Sequence, residues 1–253
     1  MNSKDIHAKY PNHILLNAKM FGETKSLKGD VIVIVFFIND TISTWDERAK
    51  QSYRKIHESA MTKIRNAAAN SGVPLKLRSA FGELTLPVEC TVSNWSKWSA
   101  AAIEKYKRKE ISEYQAYYKQ KFDCTEAPVL FAFNRHFRSY TLAADAKHPN
   151  CSEFSAVAMD SSEKTIIHEL LHQFGAPDYY YPKAVKSLAD KYFPQSIMTS
   201  GTGIVIDSLT SYLIGWSDSI DRNAATVLEL TKQITYADID KELKEIWAKE
   251  NPR

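Results

Sequence analysis

The sequence predicts an α/β (α+β) protein built on an at least partly parallel sheet with long helices packed against it. Three observations carry that reading. Residues 31–38 form an unbroken apolar, largely β-branched run, as a central strand buried on both faces would. A helical stretch and a second strand follow, an order that favours a right-handed parallel crossover. Further along, three short strands lead directly into a helix that carries two histidines.

Taken in order, residues 44 to about 69 place Trp45, Ala49, Ile56, Ala60 and Ile64 at helical spacing, and Ser71-Gly72 with Pro74 beyond supplies the stop. Residues 73–80 read as the strand that completes the crossover. A second helix is predicted over residues 96–122, with Lys97, Lys105, Lys107, Arg108, Lys109, Lys119 and Lys121 among aromatics. Glu104, Glu110 and Glu113 interrupt the basic run, so it reads as a solvated amphipathic face rather than a surface for polyanions. Short strands are expected at 129–133, 138–143 and 154–159, the last with Phe154, Ala156 and Ala158 alternating with Ser155, Val157 and Met159. Asp160 can then cap a helix over residues 161–174, with Glu163 reaching back to it. Ile206, Leu209, Leu213 and Trp216 form a later helical apolar stripe, and Ile239, Leu243, Ile246 and Trp247 another.

The chain has 253 residues, enough to bury a sizeable core, and its 44% hydrophobic and 25% charged content is that of a globular protein. A net charge of +3 is too small to imply a nucleic-acid partner without a concentrated basic face. Neither a repeat nor a Gly/Ser linker divides the sequence, so residues 1–253 are read as one domain; a monomer is expected. The longest apolar run covers eight residues, whereas a membrane-spanning helix needs about twenty. Asp5, His7, Lys9, Asn12, His13 and Asn17 break up the first twenty residues, so no signal peptide is expected. The expectation is a cytoplasmic protein, or a secreted one that leaves by another route or with a signal outside this sequence. Cys90, Cys124 and Cys151 make no C-x-x-C pair and are odd in number, which favours reduced thiols, with a Cys124–Cys151 bridge as the alternative.

The chemistry is concentrated in His168-Glu-Leu-Leu-His172-Gln-Phe-Gly175-Ala-Pro-Asp178. On a helix, His168 and His172 stand about 40° and about 6 Å apart, so both imidazoles can reach one ion, while Glu169 lies about 100° round from His168. Two imidazoles and a carboxylate suit zinc and leave a fourth position for water, which Glu169 can deprotonate. Gly175 permits a left-handed turn out of the helix that brings Asp178 back, and Pro177 restricts Ala176. Asp178 can instead serve only its local turn, and His148 is the rival third ligand. His-Glu-x-x-His alone arises by chance in roughly one such chain in a hundred; with Gly175 and Asp178 at fixed offsets the figure falls to roughly one in ten thousand, which favours the metal reading over accident.

At these residues the sequence resembles the metzincin zinc peptidases, whose extended motif is matched at every fixed position from His168 to Asp178. The aspartate variant is most similar to snapalysin and to immune-inhibitor-A-type peptidases. The resemblance implies a twisted mixed sheet with long helices in an upper lobe, residues 1 to about 175, and a smaller, mostly helical lower lobe, about 176–253, with the active-site cleft between. It also implies one catalytic Zn2+, a polypeptide substrate and a Met-turn, for which Met198 in Ser196-Ile-Met198-Thr-Ser-Gly201 is the candidate. Ser200 stands where some members place a tyrosine, and Tyr179, Tyr180 and Tyr181 can either supply that phenol or simply pack. The activity so implied is zinc-dependent endopeptidase chemistry with Glu169 as general base. A non-catalytic module that keeps zinc for folding and a small-amide hydrolase are the alternatives.

Overall fold

The apolar run becomes strand β1 (Gly29–Asn39), and its two faces enter two different cores. Val31, Val33, Val35 and Phe37 point into one, Ile32, Ile34, Phe36 and Ile38 into the other, as the two-residue period of a strand requires. In this computed structural model the described residues are 1–105, 110–149 and 151–250. They form a mixed α/β architecture on a five-stranded sheet of β1, β2 (Leu75–Thr85), β3 (Val129–Phe133), β4 (Tyr140–Leu142) and β5 (Phe154–Ala158). The strand order is β2-β1-β3-β5-β4, parallel except for β4, which runs antiparallel to β5 at the edge.

Helix α1 (Ser3–Lys9) opens the chain, and α2 (Glu47–Asn70) makes the predicted crossover. Asp46 caps α2 by accepting from the Ala49 amide at 2.7 Å, while Tyr53, Ala60, Met61 and Ile64 are buried against the sheet. Strand β2 runs to Thr85 rather than to residue 80, because it pairs with β1 along the whole length of that strand. On the opposite face the single helix expected over 96–122 is two, α3 (Trp95–Glu104) and α4 (Ile111–Phe122), with Glu110 extended ahead of the second. Both bury a stripe on the same core, Trp98, Ala102 and Ile103 from one and Ile111, Tyr114 and Tyr118 from the other, so the apolar period continues across a break it cannot reveal. Of the basic residues assigned to that helix, Lys107, Arg108 and Lys109 lie outside the described residues. Strand β5 is buried on both faces and ends at Ala158, one residue short of the expected strand.

After the histidine-bearing helix α5 (Glu163–Gln173) come α6 (Lys183–Tyr192), α7 (Ser208–Leu213), α8 (Arg222–Thr231) and α9 (Tyr236–Glu250). Helix α7 is shorter than its stripe: Ile206 and Trp216 flank it yet pack on the same core as Leu209 and Leu213. Ile239 of α9 packs there too, Leu243 is exposed, and the side chains of Ile246 and Trp247 lie outside the described residues. All three cysteines are free thiols, so no Cys124–Cys151 bridge forms. Among the described residues no helix is long and apolar enough to cross a membrane.

Candidate metal centre

Helix α5 is set by its apolar side. Ile166, Ile167, Leu170 and Leu171 are buried in the core shared with β1 and α2, which turns His168, Glu169 and His172 to the other side. The cap is Ser162, whose hydroxyl accepts from the Thr165 amide at 3.1 Å. The expected pair of Asp160 and Glu163 does not form, because each carboxylate has another partner. Asp160 bonds to His136 at 2.8 Å, and Glu163 bonds to Ser59 and Lys63 of α2.

The helix ends as the glycine predicted. Gly175 has φ +90°, its amide donates to the His172 carbonyl at 3.0 Å, and the Ala176 amide donates to the Leu171 carbonyl at 3.2 Å, the crossed pair of a Schellman end. A Cβ at this glycine would lie 2.9 Å from the backbone nitrogen and Cα of Lys19. Gly175→Ala therefore combines left-handed strain with a clash against main chain. We expect it to lower stability by about 1–3 kcal/mol, read as a lower denaturant midpoint with unchanged slope.

The turn delivers Asp178 to the histidines. Asp178 Oδ1 lies 3.0 Å from His168 Nε2 and 3.2 Å from His172 Nε2, and the two Nε2 atoms are 3.1 Å apart. The other ring nitrogens are already committed. His168 Nδ1 donates to the Ile197 carbonyl at 3.0 Å and His172 Nδ1 to the Ala176 carbonyl at 2.6 Å. A carbonyl only accepts, so both neutral rings carry their proton on Nδ1 and turn a bare Nε2 lone pair inward. With both rings neutral, three acceptors thus converge with no hydrogen among them, and Asp178 Oδ1 is buried without a hydrogen-bond partner. A cation resolves that arrangement. Ligand atoms about 2.0–2.1 Å from a tetrahedral ion are about 3.3 Å apart, close to the separations here, so these three residues could hold a metal ion of that kind.

Without a cation, a proton takes its place. Burial lowers the His172 pKa, but the Asp178 carboxylate more than offsets this and raises it to about 9. Burial likewise pushes Asp178 up, and the two imidazoles outweigh it and hold the carboxylate well below its usual range. A metal must displace the His172 proton. Below about pH 9 zinc affinity should therefore rise with pH, approaching tenfold per unit, and level off above it; titration against a competing chelator at several pH values measures this slope.

Glu169 is 6% exposed, and its Oε2 accepts from the Thr141 hydroxyl of β4 at 2.8 Å. Thr141 also lies 2.9 Å from Ser155 of β5, so the edge of the sheet fixes the carboxylate. Met198 is fully buried in the core, and its carbonyl accepts from the Tyr179 amide at 2.9 Å while the preceding carbonyl orients His168. Tyr179 itself is buried with its hydroxyl on Thr210 at 3.0 Å, which removes it as a source of a phenol for the cleft. Tyr180 stacks on His168, ring centroids 6.2 Å apart, and borders the cleft with Tyr181.

No family model and no curated protein matches this chain. Among solved structures it is similar to one of a chaperone-substrate complex, at 12% identity and a TM-score of 0.43, over 82% of this chain and 34% of that one. The chain thus spans about a third of the length of that structure.

The remaining histidines stand apart from the centre. His148, the rival ligand, is exposed beside Asp145; His13 bonds to Leu228 and Thr231, and His57 to Ser79. Sequence reasoning missed Thr141 and the carbonyls of Ala176 and Ile197. Thr141 is brought to Glu169 by strand order, and backbone carbonyls carry no residue-type signal at all.

Proposed function

We propose that this protein is a zinc-dependent endopeptidase with a metzincin-like arrangement, holding one Zn2+ on His168, His172 and Asp178. The observation that carries the proposal is the convergence of three lone pairs, the two imidazoles oriented from behind by carbonyls, beside a buried carboxylate one residue along the same helix. Bound there, zinc would acidify a water molecule and polarise a peptide carbonyl. Glu169, held by Thr141, takes the proton from the attacking water and can pass it to the leaving amine. The Ile197 and Ala176 carbonyls keep both imidazoles in the ligating tautomer. Met198 forms a packed floor.

The cleft supports an extended polypeptide over a small amide. Cavities of 430 and 660 Å³ open on the two sides of Glu169, with Arg138, Ser139, Tyr180 and Tyr181 common to both. One side is largely apolar, with Ile14, Leu15, Ala18 and Ile239. The other carries the hydroxyls of Ser161, Ser162, Thr165 and Ser200. Metal analysis of purified protein, with cleavage of an unstructured protein such as casein before and after chelation, tests the proposal. We expect about one zinc per chain and cleavage that chelation abolishes and zinc restores; zinc without cleavage would leave a metal-stabilised binding module.

A further inference from the structure

The two halves of the cleft share a cation. Arg138 precedes edge strand β4, is exposed, and lines the cavities on both sides of Glu169. Its neighbour Ser139 fixes the backbone there, accepting from the Ala158 amide at 3.1 Å and meeting the Ser161 hydroxyl at 2.9 Å. Tyr180 lines the same two cavities and stacks on His168 of the metal centre, ring centroids 6.2 Å apart.

Other charged groups lining the cleft are committed. Lys164 donates to the carbonyls of Thr199 and Gly201, Asp160 bonds to His136, and Asp145 accepts from the amides of Lys147 and His148 at 2.9 and 2.7 Å. Arg138 differs from them. A guanidinium has five N–H donors in a planar fork, and among the described residues Arg138 forms no ion pair, Asp178 attracting it through space without a contact. An arginine left with free donors at a cleft is matched in geometry and charge to a carboxylate, which it can take in two parallel hydrogen bonds.

We propose that Arg138 is a specificity-determining residue whose guanidinium receives a carboxylate of the substrate next to the His168–His172–Asp178 centre. The inference rests on the peptidase reading for the identity of the substrate as a peptide. That carboxylate belongs to an acidic side chain near the scissile bond or to the C-terminus of the peptide, and the two sources share the same recognition chemistry.

The test is binding, so that it does not depend on turnover. Zinc-loaded Glu169→Gln protein is titrated, by fluorescence anisotropy, into three N-terminally labelled peptides: Gly-Ala-Leu-Ala as the free acid, the same sequence as its amide, and Gly-Ala-Leu-Glu amide. At least one carboxylate-bearing peptide should bind about 10- to 100-fold more tightly than the neutral amide, the range for a charge-assisted hydrogen bond. The one that does identifies the source. Adding Arg138→Gln should abolish that preference without changing zinc content or the affinity for the neutral amide, and Arg138→Lys should restore part of it. Equal binding of all three peptides, or a preference that survives Arg138→Gln, overturns the assignment. If the preference behaves as expected but unsubstituted protein cleaves none of the peptides and no casein, the peptidase reading fails and the carboxylate site stands.

Discussion

Glu169→Gln is expected to keep zinc bound and to reduce peptide cleavage by at least about 100-fold, the lower end of what general-base assistance contributes. The substitution is close to isosteric and touches none of the three convergent ligand atoms. Its side-chain oxygen can still accept the Thr141 hydroxyl that now meets Oε2 at 2.8 Å, so the geometry of the cleft is preserved. What disappears is the capacity to take a proton. Because Glu169 is nearly buried, bulk water is a poor substitute for it, and the loss should appear in kcat rather than in KM. Denaturant unfolding should be nearly unchanged, since a carboxylate held by one hydroxyl is exchanged for a neutral group that makes the same bond. Cleavage at the unsubstituted rate by a zinc-replete Glu169→Gln protein would remove Glu169 from proton transfer and with it the mechanism.

Much of this arrangement is legible in the sequence wherever a single element carries the signal. The apolar run of β1 reads as mid-sheet because both of its faces are covered, and it pairs with β2 on one side and β3 on the other. His168, Glu169 and His172 share one helix, and the turn at Gly175 is local, so their meeting with Asp178 follows from backbone geometry over eleven residues. Signals that depend on packing between distant elements are absent from the sequence. The break between α3 and α4 is hidden because both helices bury their apolar stripes on one core. Asp160 and Ser162 are equally good cap residues by type, and the choice of Ser162 depends on His136 engaging Asp160 from another loop. Arg138 and Thr141 reach the cleft only because β4 adds antiparallel to β5 at the sheet edge, which three residues of strand do not announce.

His172→Ala should reduce bound zinc from about one ion per chain to a small fraction of that under dialysis, with cleavage lost in parallel, because two protein ligands do not hold the ion in its catalytic geometry. The effect is larger than the loss of one donor. His172 fixes Asp178 by charge and contact, and its Nδ1–H satisfies the Ala176 carbonyl inside the turn that carries Asp178 back. Removing the ring loosens the carboxylate as well as deleting a ligand. Asp178→Ala should also weaken zinc, and Asp178→His should weaken it less, since an imidazole is an alternative donor for the same ion. The ordering separates ligation from folding: a merely structural Asp178 would tolerate alanine as well as the bulkier histidine. Full zinc retention by His172→Ala, or equal and complete retention by both Asp178 variants, would dismantle the ligand set, because the three lone pairs that meet within 3.2 Å would then have been brought together without a metal to share.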